Sequence, residues 1–188
     1  MNNDSSNVTV GKPKKGGAIF YAPLGTTLPT NAIDPLGEEF KNVGYISEDG
    51  LTNSNSPESS DQKAWGGDTV LSMQTAKPDT FKFKLLEAKS VDALKYIYGE
   101  DNVTGDLETG ITIVASSADM DAMSLVVDME LRDNTLKRVV VPNCKISAVE
   151  DIVYKDSEAV AYGTTITATP DISGNTHYEY IIGAMPSA

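Results

Sequence analysis

The sequence is short of the residues that most often carry chemistry. Its 188 residues include one cysteine, Cys144, one histidine, His177, and one tryptophan, Trp65. A single cysteine excludes an intramolecular disulfide, and one cysteine with one histidine is too few for a zinc site. Because no G-x-S-x-G nucleophile motif accompanies His177, we expect a surface or edge-strand histidine. The sequence therefore predicts no catalytic residue, no metal site, no bound cofactor and no enzyme activity.

Positive charge and long apolar runs are also scarce. Lys and Arg total 15 against 27 Asp and Glu, which gives a net charge of -12 and a pI of about 4.4. Such a surface repels phosphate and argues against ordinary nucleic-acid binding, which uses Lys and Arg to displace counterions. Apolar runs such as Val139-Val140-Val141 are far shorter than the roughly 20 residues that span a membrane, so no membrane insertion is predicted.

Strand signals dominate the chain. In residues 80–86, Phe81, Phe83 and Leu85 alternate with lysines, which predicts a half-buried strand. Other strands are predicted at 18–21, 43–47, 69–75, 110–115, 124–132, 136–149, 159–169 and 177–183. One helix is predicted at 90–99, between Ser90 as N-cap and Gly99 as its end. We therefore predict a mainly β fold, an antiparallel β-sandwich or barrel-like sheet with one packed α-helix.

Two segments have the composition of loops. Residues 1–16 are polar and predict a flexible N-terminal arm before a single domain at 17–188. Residues 48–63 contain almost no large apolar side chain, so they lack the surface needed to order themselves alone. A loop of this length in a compact domain is unusual and tends to be functional. We therefore predict a long extended loop within the domain.

Turn and strand signals are also clear in the second half of the chain. Asp133-Asn134 predicts a tight turn between two strands. Pro142, inside the second of these, predicts a bulge or an edge. In the strand before the turn, Asp128 and Glu130 share the more polar face, because side chains alternate along a strand.

Four short motifs follow one another in the first part of the chain. They are VGYISEDGL at 43–51, AWGG at 64–67, TFKFKLL at 80–86 and ALKYIYGEDNVT at 93–104. In order and spacing they resemble the tail tube, or major tail, proteins of long flexible-tailed bacteriophages. In that family a G-x-(I/V)-S-x-D-G strand leads through a long loop to an A-W-G-G strand, a strand with alternating Phe, and an A-L-K-x-x-Y-G-x-x-N-V-T helix and turn. The resemblance covers residues 17–183.

The resemblance implies a structural virion protein. Subunits of this kind form hexameric rings that stack into a hollow tail tube, through which the genome leaves the virion. The implied partners are further copies of the chain, the tape measure protein, and the tail tip and tail terminator proteins. Double-stranded DNA passes through the tube without specific binding. The implied location is the virion tail, after assembly in the host cytoplasm.

The acidic balance of the chain suits such a conduit. If acidic side chains line the lumen, DNA phosphates are repelled and slide, whereas a basic lumen would hold them by counterion-releasing contacts. Asp128 and Glu130 are the candidate lumen-facing residues.

The long loop and the tryptophan that follows it are predicted to have different roles. The loop residues Asn53, Ser54, Asn55, Ser56 and Pro57 are expected to contact a neighbouring ring. Trp65 is expected to be a buried anchor where the loop rejoins the sheet, with Gly66 and Gly67 allowing a sharp turn beside it. An alternative remains at this stage, a non-enzymatic β-sandwich binding or adhesion module on a virion or cell surface.

Overall fold

The structure is a computed structural model and describes residues 3–183. The first two residues of the predicted N-terminal arm and the last five residues of the predicted domain lie outside this range. The described residues form thirteen strands and one α-helix: β1 Lys12–Pro13, β2 Ile19–Pro23, β3 Lys41–Asn42, β4 Thr52–Asn55, β5 Glu58–Lys63, β6 Thr69–Ala76, β7 Asp79–Leu85, α1 Val91–Tyr98, β8 Val103–Thr104, β9 Thr112–Ile113, β10 Met123–Glu130, β11 Leu136–Val149, β12 Tyr162–Ala168 and β13 Tyr178–Ile182. The predicted mainly β class with one helix is confirmed.

Nine strands form one antiparallel sheet. Seven of them run in the order β3-β2-β10-β11-β12-β7-β4, while β1 pairs with β10 and β13 pairs with β11. The long strand β11 therefore has β10 along one side and both β13 and β12 along the other. Two separate two-stranded ladders, β5-β6 and β8-β9, complete the fold.

The centre of the large sheet is buried on both faces. Leu125 and Val127 belong to the main core cluster, which also contains Leu94 and Ile97 of α1. Val126, between them, belongs to a second cluster with Phe40, against which the partly buried Leu28 and Leu36 pack. Because alternate side chains of a strand point to opposite faces, the continuous apolar run in β10 reflects two covered faces.

Several sequence predictions hold closely. β11 has the predicted bounds, and Phe81, Phe83 and Leu85 of β7 are buried. The helix begins after Ser90, whose hydroxyl accepts a hydrogen bond from the amide of Ala93, and ends at Gly99. Asp133 and Asn134 both have positive φ, 57° and 55°, as a tight turn demands. The register between β10 and β11 shifts next to Pro142, which confirms the predicted bulge.

Two predicted elements are wrong. The strand predicted at 43–47 is reduced to a single bridge between Ile46 and Leu85, and the preceding pair Lys41–Asn42 forms β3 instead. The predicted long loop at 48–63 contains two strands, β4 and β5. Their side chains are mostly exposed, so backbone pairing with β7 and β6 orders them rather than burial of their own apolar surface.

Candidate assembly interface

The most prominent surface feature is a hairpin formed by β5 and β6, residues 58–76, which we call the arm. Its two strands pair with each other, from Glu58 opposite Ala76 to Lys63 opposite Thr69. Every residue from 56 to 78 is exposed to solvent. At about 3.3 Å per residue, the eight residues of β6 extend about 25 Å. A ribbon of this length with no covered face is a surface available to another molecule.

Two prolines mark the neck where the arm leaves the sheet. The β4-β7 ladder ends at the pair Asn55 and Asp79, and the arm ladder begins at the pair Glu58 and Ala76. Between these pairs lie Pro57 on one strand and Pro78 on the other. A proline has no N–H to donate to a ladder, so the hydrogen bonding between strands is interrupted on both sides at the same level.

Trp65 is at the tip of the arm and is fully exposed. The turn is closed by hydrogen bonds from the amide of Ala64 to the carbonyl of Asp68 and from the amide of Gly67 to the carbonyl of Ala64. Gly66 and Gly67 have φ of 116° and 101°, values that favour glycine, so the predicted sharp turn is present. The predicted burial of Trp65 is wrong. Trp65 lies in the turn between β5 and β6, which pair with each other, and its indole is fully exposed in the described chain.

The arm also carries exposed apolar side chains along its length. Leu71 and Met73 are two residues apart on β6 and share one face of the ribbon, whereas Val70 lies on the other. All three are more than half exposed. Exposed apolar residues that cluster on one element, as these do with Trp65, mark an interaction surface.

A buried carboxylate fixes the base of the arm. Asp79, the first residue of β7, is 1% exposed and accepts hydrogen bonds from Asn53 Nδ2 at 2.7 Å and Thr176 Oγ1 at 2.6 Å. His177 Nδ1 lies 2.5 Å from its Oδ2 atom. Burial raises the pKa of Asp79, but the hydrogen bonds from Thr176, His177 and Asn53 outweigh it and hold the pKa below its usual value. The two strands that lead into the neck, β4 and β7, are thereby hydrogen-bonded to the segment just before β13.

The residues predicted to contact a neighbouring ring lie near this base rather than at the tip. Asn53, Ser54 and Asn55 are on β4, which is the last strand at its edge of the large sheet. Ser56 and Pro57 are in the neck. Their contact with another subunit stays a prediction.

Asp128 is not a free surface carboxylate. It is 4% exposed, and Arg138, directly opposite on β11, donates from Nε to Oδ1 at 2.6 Å and from Nη2 to Oδ2 at 2.8 Å. Lys14 Nζ lies 3.3 Å from Oδ2. The prediction that Asp128 faces the lumen is therefore wrong, because its side chain points beneath the segment at 31–36 and its charge is neutralised. Glu130, at the end of β10, is half-buried, and its lumen role stays a prediction.

The pairing of Arg138 with Asp128 was not predicted, although the sequence contains a signal for it. The tight turn at Asp133-Asn134 sets the register of the two strands around it. Counting outward from this turn pairs Glu130 with Leu136 and Asp128 with Arg138. Opposite charges at directly facing positions of neighbouring strands are a favourable cross-strand pair.

Metal-ligand clusters and membrane-spanning helices are both absent from residues 3–183. Among residues 3–183, no group of three or more His, Cys, Asp and Glu side chains is arranged to hold a metal ion. His177, the one histidine, is hydrogen-bonded to Asp79 at the base of the arm. Over the same range, no helix has the length and apolar character needed to cross a bilayer.

Comparison with known proteins assigns the chain to a family. No curated protein sequence matches it. The family described as "Phage tail tube protein" matches residues 1–186, almost the whole chain. The exposed arm is in keeping with a structural subunit that associates with other copies. The chain belongs to the phage tail tube protein family and is a structural protein of the virion tail.

Proposed function

We propose that this subunit forms hexameric rings that stack into the tube of a long flexible-tailed phage, and that the tube is the conduit for genome ejection. The family match supports self-association into a tube. It favours this role over the binding or adhesion module that composition alone also allows.

The observation that carries the proposal is the arm. It exposes Trp65, Leu71 and Met73 on a ribbon whose two strands pair with each other. Burying apolar side chains stabilises an association by about 25 cal/mol for each Å² removed from water. A ribbon that extends about 25 Å from the sheet is long enough to cross onto a neighbouring subunit. We place the contact between successive rings on the arm.

The edges of the large sheet supply a second surface for assembly. β3 and β4 are its terminal strands, and each has unpaired backbone groups along one side. Such edges attract further strands, and closure around a ring satisfies them without open-ended aggregation. We therefore place contacts within a ring on these edges.

Charge suits the passage of DNA. The net charge of -12 makes the subunit surface repel phosphates, and in a narrow lumen this repulsion acts over the Debye length of about 10 Å at 0.1 M salt. DNA then passes without specific binding. By the same family likeness, the tape measure, tail tip and tail terminator proteins are the other partners, and assembly takes place in the host cytoplasm.

A hairpin deletion tests the role of the arm. Because Glu58 and Ala76 face each other at the start of the ladder, residues 59–75 can be replaced by Asn-Gly, a two-residue hairpin turn. The shortened protein should remain folded, since the deleted side chains are all exposed, and should form no tubes under negative-stain electron microscopy. Wild-type protein is compared at the same concentration, alone and with preformed tube fragments as seeds.

Two outcomes would count against the proposal. Normal tubes from the shortened protein would remove the arm from assembly. A wild-type protein that forms neither rings nor tubes, even with tail tips supplied as nuclei, would contradict the proposed role as a whole.

A further inference from the structure

We propose that Trp65 of one subunit inserts into a pocket on a second copy of the chain, formed between the N-terminal segment and the segment at 31–36. The inference rests on the proposed tube and names the contact made by the tip of the arm. Trp65 is the only tryptophan and is fully exposed. The pocket has a volume of about 250 Å³. That is below the roughly 300–1,000 Å³ typical of pockets for drug-sized ligands and suits a single large side chain.

The pocket has two walls and a floor. One wall is the segment 14–17, and the other is the segment 33–36. The floor is made by Phe20 and by the buried pair of Asp128 and Arg138. The N-terminal wall is joined to the sheet, because Lys14 Nζ contacts Asp128 and Gly16 accepts a hydrogen bond from Asn42 Nδ2 at 3.0 Å.

The opposite wall is held in place by Arg138. Its Nη1 atom donates to the carbonyl oxygens of Asn31 at 3.2 Å and Asp34 at 2.8 Å. The Asn31 side chain in turn accepts hydrogen bonds from the amides of Ile33 and Asp34. A wall held in this way is preorganised, so binding there loses little conformational entropy. The buried pair of Asp128 and Arg138 is costly to desolvate, and holding this wall in position gives the pair a role beyond stability.

The lining matches the chemistry of an indole. Phe20, Ile33, Pro35 and Leu36 supply apolar surface, and Lys15, whose side chain ends in an ammonium group, is a lining residue of the opposite wall. An ammonium group over the face of an indole gives a cation–π attraction, which is strongest for tryptophan. The Asp34 carboxylate is an acceptor on the same rim for the indole N–H, which finds a partner when buried.

The occupant is a second copy rather than the subunit's own arm. Within residues 3–183, the arm strands pair only with each other, and Trp65 is fully exposed. The family assembles by self-association, so every neighbour carries the same tip and the same pocket. A contact between two different patches of identical subunits is heterologous and propagates along a stack, as tube growth demands.

Cross-linking between two variants tests the contact while keeping the indole. Ala64→Cys places a thiol beside Trp65, and Ile33→Cys places one on the pocket rim. Cys144 is buried and remains in both proteins. When the two variants are mixed, assembled and oxidised, we expect a disulfide-linked dimer that neither variant gives alone. The matched control replaces Ile33→Cys with Ile172→Cys, because Ile172 is fully exposed in another loop. An equal yield with this control, or no product with Ile33→Cys, would overturn the inference.

Fluorescence of the single tryptophan gives an independent readout. On assembly of the wild type, emission from Trp65 should shift to the blue and its quenching by acrylamide should fall severalfold. Ile33→Asp should weaken both changes. Tubes in which Trp65 still emits as in water would refute insertion and leave the tube role standing. If the wild type did not assemble and the two cysteine variants gave no cross-linked product, both the insertion of Trp65 and the proposed tube role would be refuted.

Discussion

Arg138 lies directly opposite Asp128 on paired strands and binds both oxygens of its carboxylate, with both side chains almost fully buried. The third nitrogen of the same guanidinium holds the carbonyls of Asn31 and Asp34. One buried ion pair therefore joins the centre of the sheet to the segment that covers it. This arrangement gives the pair a positioning role in addition to any effect on stability.

Removing one member of this pair should destabilise the subunit strongly. Arg138→Met leaves Asp128 buried without its bidentate partner, with Lys14 as the remaining cation nearby, and breaking buried pairs typically costs about 3–5 kcal/mol. We expect a loss of this size in the free energy of unfolding measured with urea.

The double variant Asp128→Leu with Arg138→Met is the matched control. Replacing a whole buried pair with apolar side chains is often nearly neutral, so much of the loss should be recovered. Hydrogen exchange at residues 31–34 should nevertheless rise, because their carbonyls lose the guanidinium. A double variant as unstable as Arg138→Met, with unchanged exchange there, would contradict this role.

Asp79 should make stability depend on pH. Asp79→Asn keeps the shape but replaces an acceptor of three side-chain partners, so the free energy of unfolding should fall by about 1–3 kcal/mol at pH 7. The folded-state pKa of Asp79 is below its ordinary value, so its contribution is present above the unfolded pKa and is lost as the pH falls through the folded one. The difference between wild type and Asp79→Asn should thus shrink as the pH falls below the ordinary aspartate pKa of about 3.9.

A second variant separates the carboxylate from the imidazole. His177→Gln keeps a hydrogen-bond donor at this position but removes the imidazole ring that lies beside Asp79. In protein carrying His177→Gln, the effect of Asp79→Asn on the free energy of unfolding should still shrink as the pH falls below the ordinary aspartate pKa. If the difference in the free energy of unfolding between wild type and Asp79→Asn stayed constant over the whole acid range, Asp79 would not be a source of the pH dependence of stability.

Much of the fold follows from local pattern, whereas the interface does not. β7 and β11 were predictable because their apolar side chains pack against partners within the same chain. β5, with the sequence ESSDQK, has no apolar signal, and its order comes from the backbone of β6. Trp65 misled for a related reason. A large apolar side chain is expected to be buried, but the described chain contains no partner for it, and the proposed partner is another subunit.

The two faces of the arm should contribute unequally to assembly. Leu71→Ser with Met73→Ser removes both large apolar residues from one face, whereas Val70→Ser alters the other. All three positions are exposed, so the stability of the monomer should change by no more than about 0.5 kcal/mol. We expect the double variant to reduce the yield of tubes, measured by sedimentation, more than Val70→Ser does. The reverse order, or equal yields, would assign the contact to the other face or to the tip alone.

Cys144 should report on unfolding of the subunit core. Its side chain is fully buried, and burial raises the pKa of the thiol to about 12. Thiol reagents react with the thiolate, so labelling near neutral pH should await an opening of the sheet between β10 and β12. The labelling rate in urea should therefore follow the population of unfolded protein. In native buffer it should be orders of magnitude slower than at the exposed Ile33→Cys position in the same protein. If both sites were labelled at similar rates, β11 would open locally, without unfolding of the whole subunit.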